Sequence, residues 1–196
     1  TCCNGTALES NTKFQNSIYF KSKDDKALYV NLFVPSTLKW TEKDITVEQK
    51  TAFPKADNTQ LMIKGKGKFD LNIRVPQWAT KGFFVRVNGK PEKVEAVPGT
   101  YLTLGRKWKD GDVIDLEMPL QFHLDPVMDQ QNIASLFYGP VLLVAQESEM
   151  RNGWRKVTLD AKDIGKTIKG DPETLQFTID LNHSTKPMGA IRCIWM

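Results

Sequence analysis

A period-two pattern between Ala27 and Val34 constrains the fold more than any other feature of the chain. Every second residue from Leu28 onward is aliphatic, and Tyr29, Asn31 and Phe33 stand in between. Successive side chains of an extended chain point to opposite faces, so this pattern predicts a β-strand with one face in a core. The proline at position 35 is expected to end the strand.

Similar short segments recur along the rest of the chain. Further strands are predicted at residues 18–20, 45–50, 60–64, 69–75, 83–87, 101–104, 113–118, 133–138, 141–145, 156–159, 175–181 and 190–194. Asn88-Gly89 is a strong hairpin signal, and Gly65 lies in a lysine-glycine segment predicted to form another hairpin turn. Many short strands with frequent turns are typical of an antiparallel β-sandwich. The predicted fold class is therefore all-β, with two sandwich units and one short N-terminal helix.

The helix is predicted from a capping box, Thr6 to Glu9, in which Thr6 caps the first turn and Glu9 bonds back to its amide. It is expected to run to about Gln15 and to bury Leu8 and Phe14, together with the alanine between Thr6 and Leu8.

The hairpin pattern weakens between residues 119 and 125, which predicts a β-sandwich over residues 21–120 and a second, smaller sandwich or extension over 121–196. The segments 133–138 and 141–145 are apolar at nearly every position, which predicts burial on both faces.

The charge pattern argues against two classes of partner. The net charge is +4, but lysines are spread along the chain and interrupted by acids, whereas nucleic-acid binding favours clustered basic residues. No apolar run has the length of a membrane span. Neither nucleic acid nor membrane is therefore an expected partner. The first residue is Thr rather than Met, which suggests a cut or processed end.

The sharpest chemical feature is the pair Cys2-Cys3, followed by Asn4-Gly5 and the predicted helix. A helix N-terminus stabilises a thiolate, and thiolates are good zinc ligands. Cysteines with a purely structural role are common too, and no His or carboxylate of this chain has ligand spacing to the pair. If the pair binds zinc, the other ligands lie upstream. With Cys193 the count is odd, so it defines no disulfide framework and leaves the redox compartment open.

Several motifs together resemble glycoside hydrolase families 127 and 146. They are, in chain order, residues 1–10, 13–14, 17–20, 28–36, 74–79, 87–90, 99–104, 106–112 and 136–141. Their order and spacing agree with the family over most of residues 1–145, and the tail after about Arg151 is only vaguely similar.

The resemblance implies an (α/α)6 barrel followed by β-sandwich domains, with residues 1–20 as the end of the catalytic domain. It implies a retaining β-L-arabinofuranosidase in which Cys2 is the nucleophile and Cys2 and Cys3 bind zinc. The remaining ligands, a Glu and a Cys, and the Glu acting as general acid/base would lie upstream. The chain alone is then expected to be inactive and to hold no zinc. Its partners would be the barrel, the sugar substrate of the parent enzyme, or a second copy bound through the barrel-facing surface, with a periplasmic or secreted location favoured over the cytoplasm.

The tryptophans support an alternative hypothesis, an autonomous carbohydrate-binding β-sandwich. Trp78 follows a proline and Trp108 precedes a turn, so these two are predicted to be the more exposed members of a sugar-stacking surface. Core or interface positions are the more common role of such residues. An adhesion or interaction module is a third hypothesis.

Overall fold

The computed structural model describes residues 9, 12–146, 164–179 and 191–194, without the side chains of 130–132, 145, 146, 179 and 191–194. The strands are β1 (Tyr19–Lys21), β2 (Ala27–Val30), β3 (Ser36–Trp40), β4 (Ile45–Thr51), β5 (Asn58–Lys64), β6 (Gly67–Arg74), β7 (Phe84–Val87), β8 (Lys90–Pro91), β9 (Tyr101–Trp108), β10 (Val113–Glu117), β11 (Phe122–Val127), β12 (Gln130–Tyr138), β13 (Val141–Leu142), β14 (Val144–Gln146), β15 (Ile168–Asp171), β16 (Gln176–Ile179) and β17 (Ile191–Ile194). Two 3-10 turns span Thr41–Lys43 and Ile164–Thr167.

The contacts of the chain group it into two compact units. The first comprises Thr1–Phe53 and Asp57–Pro119, and the second comprises Pro54–Ala56 and Leu120–Met196. Whether either unit folds independently, as the predicted boundary near residue 120 requires, stays a prediction.

The first unit contains two sheets. One has the strand order β1-β2-β6-β9, and the other has the order β3-β4-β5-β10-β7-β8. Among the described strands, only β2 and β6 pair in parallel. The all-β, mostly antiparallel fold predicted from the alternation is confirmed. Among the described residues, no helix is long and apolar enough to cross a membrane.

The core of this unit draws on alternate residues of both sheets. Its members include Leu28, Val30, Val47, Leu61, Ile63, Leu71, Ile73, Val85, Val87, Leu102, Leu104, Ile114 and Leu116. On β2, for example, Leu28 and Val30 are buried, whereas Tyr29 is half-buried. Burial of apolar surface contributes about 25 cal/mol per Å², so this inner layer is the main source of stability for the unit.

The strand predicted over residues 27–34 is shorter than expected. It ends at Val30. Beyond it, the amide Nε2 of the buried Gln49 donates hydrogen bonds to the carbonyls of Leu32 (3.0 Å) and Val34 (2.8 Å). A side chain thus satisfies backbone groups that a continuing strand would have paired, and the chain crosses to begin β3, which the sequence analysis missed.

Of the two hairpin turns predicted at glycine residues, one is confirmed and the other was wrong. Asn88-Gly89 connects β7 and β8, with φ values of 51° and 76°, so the predicted hairpin is confirmed. The segment around Gly65 connects β5 to β6, which belong to different sheets, so the hairpin predicted there was wrong. Gly65 has φ +94°, and its amide donates to Asp110 Oδ1 at 2.7 Å.

Replacing Gly65 should cost much more stability than replacing Gly89. A β-carbon at Gly65 would lie 2.4 Å from the backbone oxygen of Asp44, whereas one at Gly89 would meet nothing within 4 Å. Gly89→Ala carries only the left-handed strain of about 1–2 kcal/mol, and Gly65→Ala adds a steric cost of about 1–3 kcal/mol. Urea unfolding of both variants measures the difference, and equal losses would contradict this interpretation.

The second unit has a three-stranded sheet, β11-β12-β13, and a four-stranded sheet, β14-β17-β16-β15. Its core cluster comprises Val141, Leu143, Ile168, Leu175 and Phe177. Strand β11 was missed because it contains Pro126. It lies at a sheet edge and its register shifts after that proline, a position where a missing amide hydrogen is tolerated.

Two burial predictions were wrong. Leu142 and Val144 are 46% and 38% exposed while Val141 and Leu143 are buried, so this apolar segment alternates rather than being covered on both faces. Residues 12–16 are helical, but Phe14 is 56% exposed rather than buried. Leu8 lies outside the described residues.

Candidate functional site

Trp108 is not a surface residue, contrary to the prediction. Its side chain is fully buried, and its Nε1 donates a hydrogen bond of 3.1 Å to the carbonyl of Phe69. The centroids of the Phe69 and Trp108 rings are 5.8 Å apart, and the Arg106 guanidinium lies 5.4 Å from the Trp108 ring centroid. Its position in β9 alternates with Leu102 and Leu104 on the inner face, so the ring is unavailable for stacking on a sugar.

Trp78 is half-buried, and its ring stacks on Phe53 with the centroids 6.1 Å apart and the planes 13° apart. Phe53 in turn contacts the buried Phe33 edge-on, with centroids 5.9 Å apart. This arrangement anchors Trp78 to the core of the first unit. A sugar-binding role of Trp78 stays a prediction.

Cys2 and Cys3 lie outside the described residues, so no distance relates either thiol to another ligand. In the described part of the chain, no group of three or more His, Cys, Asp or Glu side chains is arranged to hold a metal ion. The roles of this pair as nucleophile and zinc ligands therefore stay predictions.

A cleft in the first unit brings together residues that the sequence analysis did not associate. It has a volume of about 220 Å³ and is lined by Tyr19, Phe20, Lys21, Leu28, Leu38, Lys39, Trp40 and Glu42. These residues come from β1, β2, β3 and the 3-10 turn that follows β3. Strands β1 and β3 are edge strands of the two sheets, so the cleft opens at one margin of the sandwich.

A hydrogen bond joins the two edge strands beside the cleft. The hydroxyl groups of Tyr19 and Ser36 are 3.0 Å apart. Burial raises the pKa of Tyr19, and the hydrogen bond with Ser36 acts in the opposite direction. Phe20, the next residue, is 48% exposed and offers an aromatic surface at the rim.

The charged rim of the cleft is an ion-pair cluster. The Lys21 ammonium donates to Glu42 and lies 3.0 Å from Asp25 Oδ1. The hydrogen bond with Lys21 holds the pKa of Glu42 below its ordinary value, and the bonds with Glu42 and then Asp25 raise the pKa of Lys21. At neutral pH the cleft thus presents a carboxylate beside an ammonium group.

Trp40 lines the cleft and has a buried hydrogen-bond donor without an acceptor. Only 3% of the residue is exposed, and its Nε1 has no hydrogen-bond partner. The ring is held edge-on against Phe69, with centroids 5.4 Å apart, and the Lys43 ammonium lies 5.9 Å from its centroid. A buried donor without an acceptor is rare and costly in native proteins.

Removing the Lys21 charge should shift the titration of Glu42. We expect Lys21→Met to raise the pKa of Glu42 toward that of an ordinary glutamate, because its main hydrogen-bond donor is lost. Carboxyl-carbon NMR across an acid titration measures this pKa. Lys39→Met is the matched control, since Lys39 also lines the cleft but makes no described ion pair. An unchanged Glu42 titration in Lys21→Met would refute the assignment.

Comparison with known proteins shows what the larger unit resembles. Residues 27–120 match the model of the β-L-arabinofuranosidase GH127 middle domain. This segment, which contains most of the sandwich described above, is thus similar to that domain. The predicted resemblance to GH127 is confirmed, although this match does not reach the Cys2-Cys3 motif. No curated protein matches the chain in sequence.

Solved structures agree with this resemblance. The chain is 27% identical to a glycoside hydrolase, with a TM-score of 0.63 over 72% of this chain and 25% of that one. It is 26% identical to a GH127 β-arabinofuranosidase, with a TM-score of 0.55 over 64% of this chain and 23% of that one. A GH127 β-L-arabinofuranosidase from Geobacillus stearothermophilus T6 shares the fold, with 20% identity and a TM-score of 0.65 over 92% of this chain and 32% of that one. The chain thus spans a third or less of each of these proteins.

Proposed function

We propose that the chain is the carboxy-terminal β-sandwich part of a β-L-arabinofuranosidase-like glycoside hydrolase that acts on plant-type, arabinose-containing glycans, and that it is not catalytic alone. The match of residues 27–120 to the GH127 middle domain carries this proposal. The small share of each related structure that the chain covers supports it too, because most of such an enzyme lies beyond a segment of this size.

The chemistry of glycoside hydrolysis explains why the chain would need the rest of the enzyme. A retaining mechanism requires a nucleophile and a separate proton donor flanking the scissile bond. In the proposed enzyme, Cys2 is the nucleophile, and Cys2 and Cys3 contribute to a zinc site completed by residues that precede Thr1. When bound, zinc would favour the thiolate form of cysteine at neutral pH. The proton donor would also come from the preceding part, so this chain alone lacks a way to assist leaving-group departure.

The proposed role of the sandwich is to support an (α/α)6 barrel that precedes it. Phe14, in the segment that leads into the sandwich, is 56% exposed. Exposed aromatic rings of this kind suit a protein surface that is covered in a larger assembly. When the barrel is absent, the same surface would favour contact with a second copy of the chain.

Hydrolysis of an aryl β-L-arabinofuranoside tests the proposal directly. The chain alone is expected to release no aryl alcohol, with or without zinc, whereas a protein that carries the same sequence behind the barrel is expected to do so. A longer protein that is folded, loaded with zinc and inactive on arabinofuranosides would contradict the substrate assignment.

A further inference from the structure

We propose that the cleft between β1 and β3 is a non-catalytic binding site for a single sugar residue. The inference goes beyond the proposed function and does not depend on it, because the cleft consists of residues in the first unit alone. A site of this kind would hold the sandwich on a glycan independently of any active site.

The size of the cleft sets the size of its ligand. Pockets for drug-sized ligands typically enclose about 300–1,000 Å³. At about 220 Å³ the cleft is smaller, and it opens at the margin of the sandwich rather than inside it. One sugar ring fits this space, and the open side lets the rest of a glycan chain extend into solvent.

The lining matches the two-sided chemistry of a sugar ring. Tyr19, Phe20 and Trp40 supply aromatic surface, and Leu28 and Leu38 supply aliphatic surface. Aromatic faces carry partial negative charge and attract the weakly positive C–H groups of a sugar face. The exposed ring of Phe20 is the accessible member of this group.

Polar groups for the hydroxyls are present in the same cleft. The Glu42 carboxylate accepts hydrogen bonds, and the Lys21 ammonium donates them. A sugar hydroxyl can therefore donate to Glu42 and accept from Lys21. The unpartnered Nε1–H of Trp40 is the second, independent indication of a ligand. If the ring turned so that Nε1 faced the cleft, a sugar oxygen would give this donor an acceptor, and the cost of leaving it unpaired would be relieved.

Two other ligand classes fit the cleft less well. Glu42 and Asp25 pair with Lys21. A phosphate at this part of the rim would therefore face two carboxylates, although Lys39 also lines the cleft. A peptide that adds as a new strand is disfavoured because β1 is only three residues long and Lys39 lies on β3. Short edge strands and edge lysines are the devices by which proteins discourage strand addition.

The test follows the five tryptophan indole signals of the ¹⁵N-labelled full chain during titration with methyl glycosides of L-arabinofuranose, D-xylose and D-glucose. Trp40→Phe identifies the Trp40 signal by its disappearance. We expect at least one sugar to shift that signal saturably, with an affinity of about millimolar for a ligand of this size. The Trp78 and Trp108 signals should move little, and glycerol should shift none of them.

Phe20→Leu and Phe84→Leu form a matched pair for this titration, because both phenylalanines are about half exposed, at 48% and 51%, and only Phe20 lines the cleft. We expect Phe20→Leu to weaken sugar binding about three- to tenfold and Phe84→Leu to leave it unchanged. Glu42→Gln should also weaken sugar binding. Because Glu42 is exposed, misfolding would not explain a lower affinity of this variant.

Three results would overturn the proposal. The Trp40 signal fails to move at the highest soluble concentration of every sugar; the Phe20 and Phe84 variants lose affinity equally; or the sugar shifts Trp78 instead, which places the site elsewhere. Hydrolytic activity enters none of these measurements, so the outcome is independent of whether the proposed enzyme function holds.

Discussion

Trp108→Ala is expected to lower the free energy of unfolding by about 3–5 kcal/mol, the range for truncating a large buried aromatic side chain. The indole is fully buried, packs against Phe69, and donates its Nε1–H to the Phe69 carbonyl. Truncation therefore removes apolar contact, leaves a cavity, and leaves a carbonyl without this donor. Total stability of a domain is typically about 5–15 kcal/mol, so the loss is a large fraction of it, and at the low end of that range the variant approaches unfolding at room temperature.

Thermal and urea unfolding of Trp108→Ala measure this loss of stability. Two further variants show how much of it comes from the hydrogen bond and how much from burial. Trp108→Phe keeps much of the ring but lacks the hydrogen-bond donor, so it should fall between the wild type and Trp108→Ala. Phe84→Ala removes an aromatic ring that is 51% exposed and should change stability by no more than about 0.5–1 kcal/mol. Losses of similar size at positions 108 and 84 would contradict the interior placement of Trp108.

In the longer enzyme proposed above, Cys2→Ala is expected to abolish hydrolysis of aryl arabinofuranosides, with a drop of at least about 10⁴-fold, as is typical when a covalent nucleophile is removed. Cys3→Ala should lose zinc and activity together, and Cys2→Ala should also weaken zinc binding, because each variant lacks one thiolate ligand. Turnover per bound zinc, measured on the same samples with excess zinc, separates the two roles: zinc-loaded Cys2→Ala should stay inactive, whereas zinc-loaded Cys3→Ala should keep some activity. Cys193→Ala is the control, since Cys193 lies on β17 and has no proposed part in the chemistry.

Retention of full activity by Cys2→Ala, with zinc still bound, would rule out the nucleophile assignment. Equal losses in Cys193→Ala and Cys2→Ala would indicate a general folding defect instead. The similarity of residues 27–120 to the GH127 middle domain stands in either case, because it does not involve the cysteines.

The strands were predictable because their signal is local. Alternation of the kind seen at Leu28 and Val30 needs only one buried face, and the structure buries both residues. The turn at Asn88-Gly89 was predictable for the same reason, since both residues adopt the positive φ that this dipeptide tolerates.

Two of the wrong predictions, the length of the strand after Ala27 and the exposure of Trp108, share a cause: a residue distant in the sequence determines the local structure. The strand after Ala27 stops at Val30 because Gln49, from another strand, takes the carbonyls that follow. Trp108 is buried because β9 pairs with β6 over its whole length and carries the ring inward beside Phe69. The residues next to Val30 and Trp108 in the sequence give no indication of these two contacts.

The cleft was not predictable for a related reason. Tyr19 and Trp40 lie on different sheets, and only the packing of the sandwich brings their strands to one margin. Trp40 was one of five tryptophans in the sequence, and nothing local distinguishes it from the others. Its unpartnered Nε1 becomes evident only when its surroundings are known.

We propose that the chain is a GH127-like β-sandwich that needs a separate barrel for catalysis. The most direct measurement is the release of 4-nitrophenol from 4-nitrophenyl β-L-arabinofuranoside by the 196-residue chain with added zinc, on a sample whose circular dichroism shows β-structure. We expect release no faster than in buffer containing zinc alone. Zinc-dependent release by the chain that is lost in Cys2→Ala would contradict it, because this chain would then contain a complete active site.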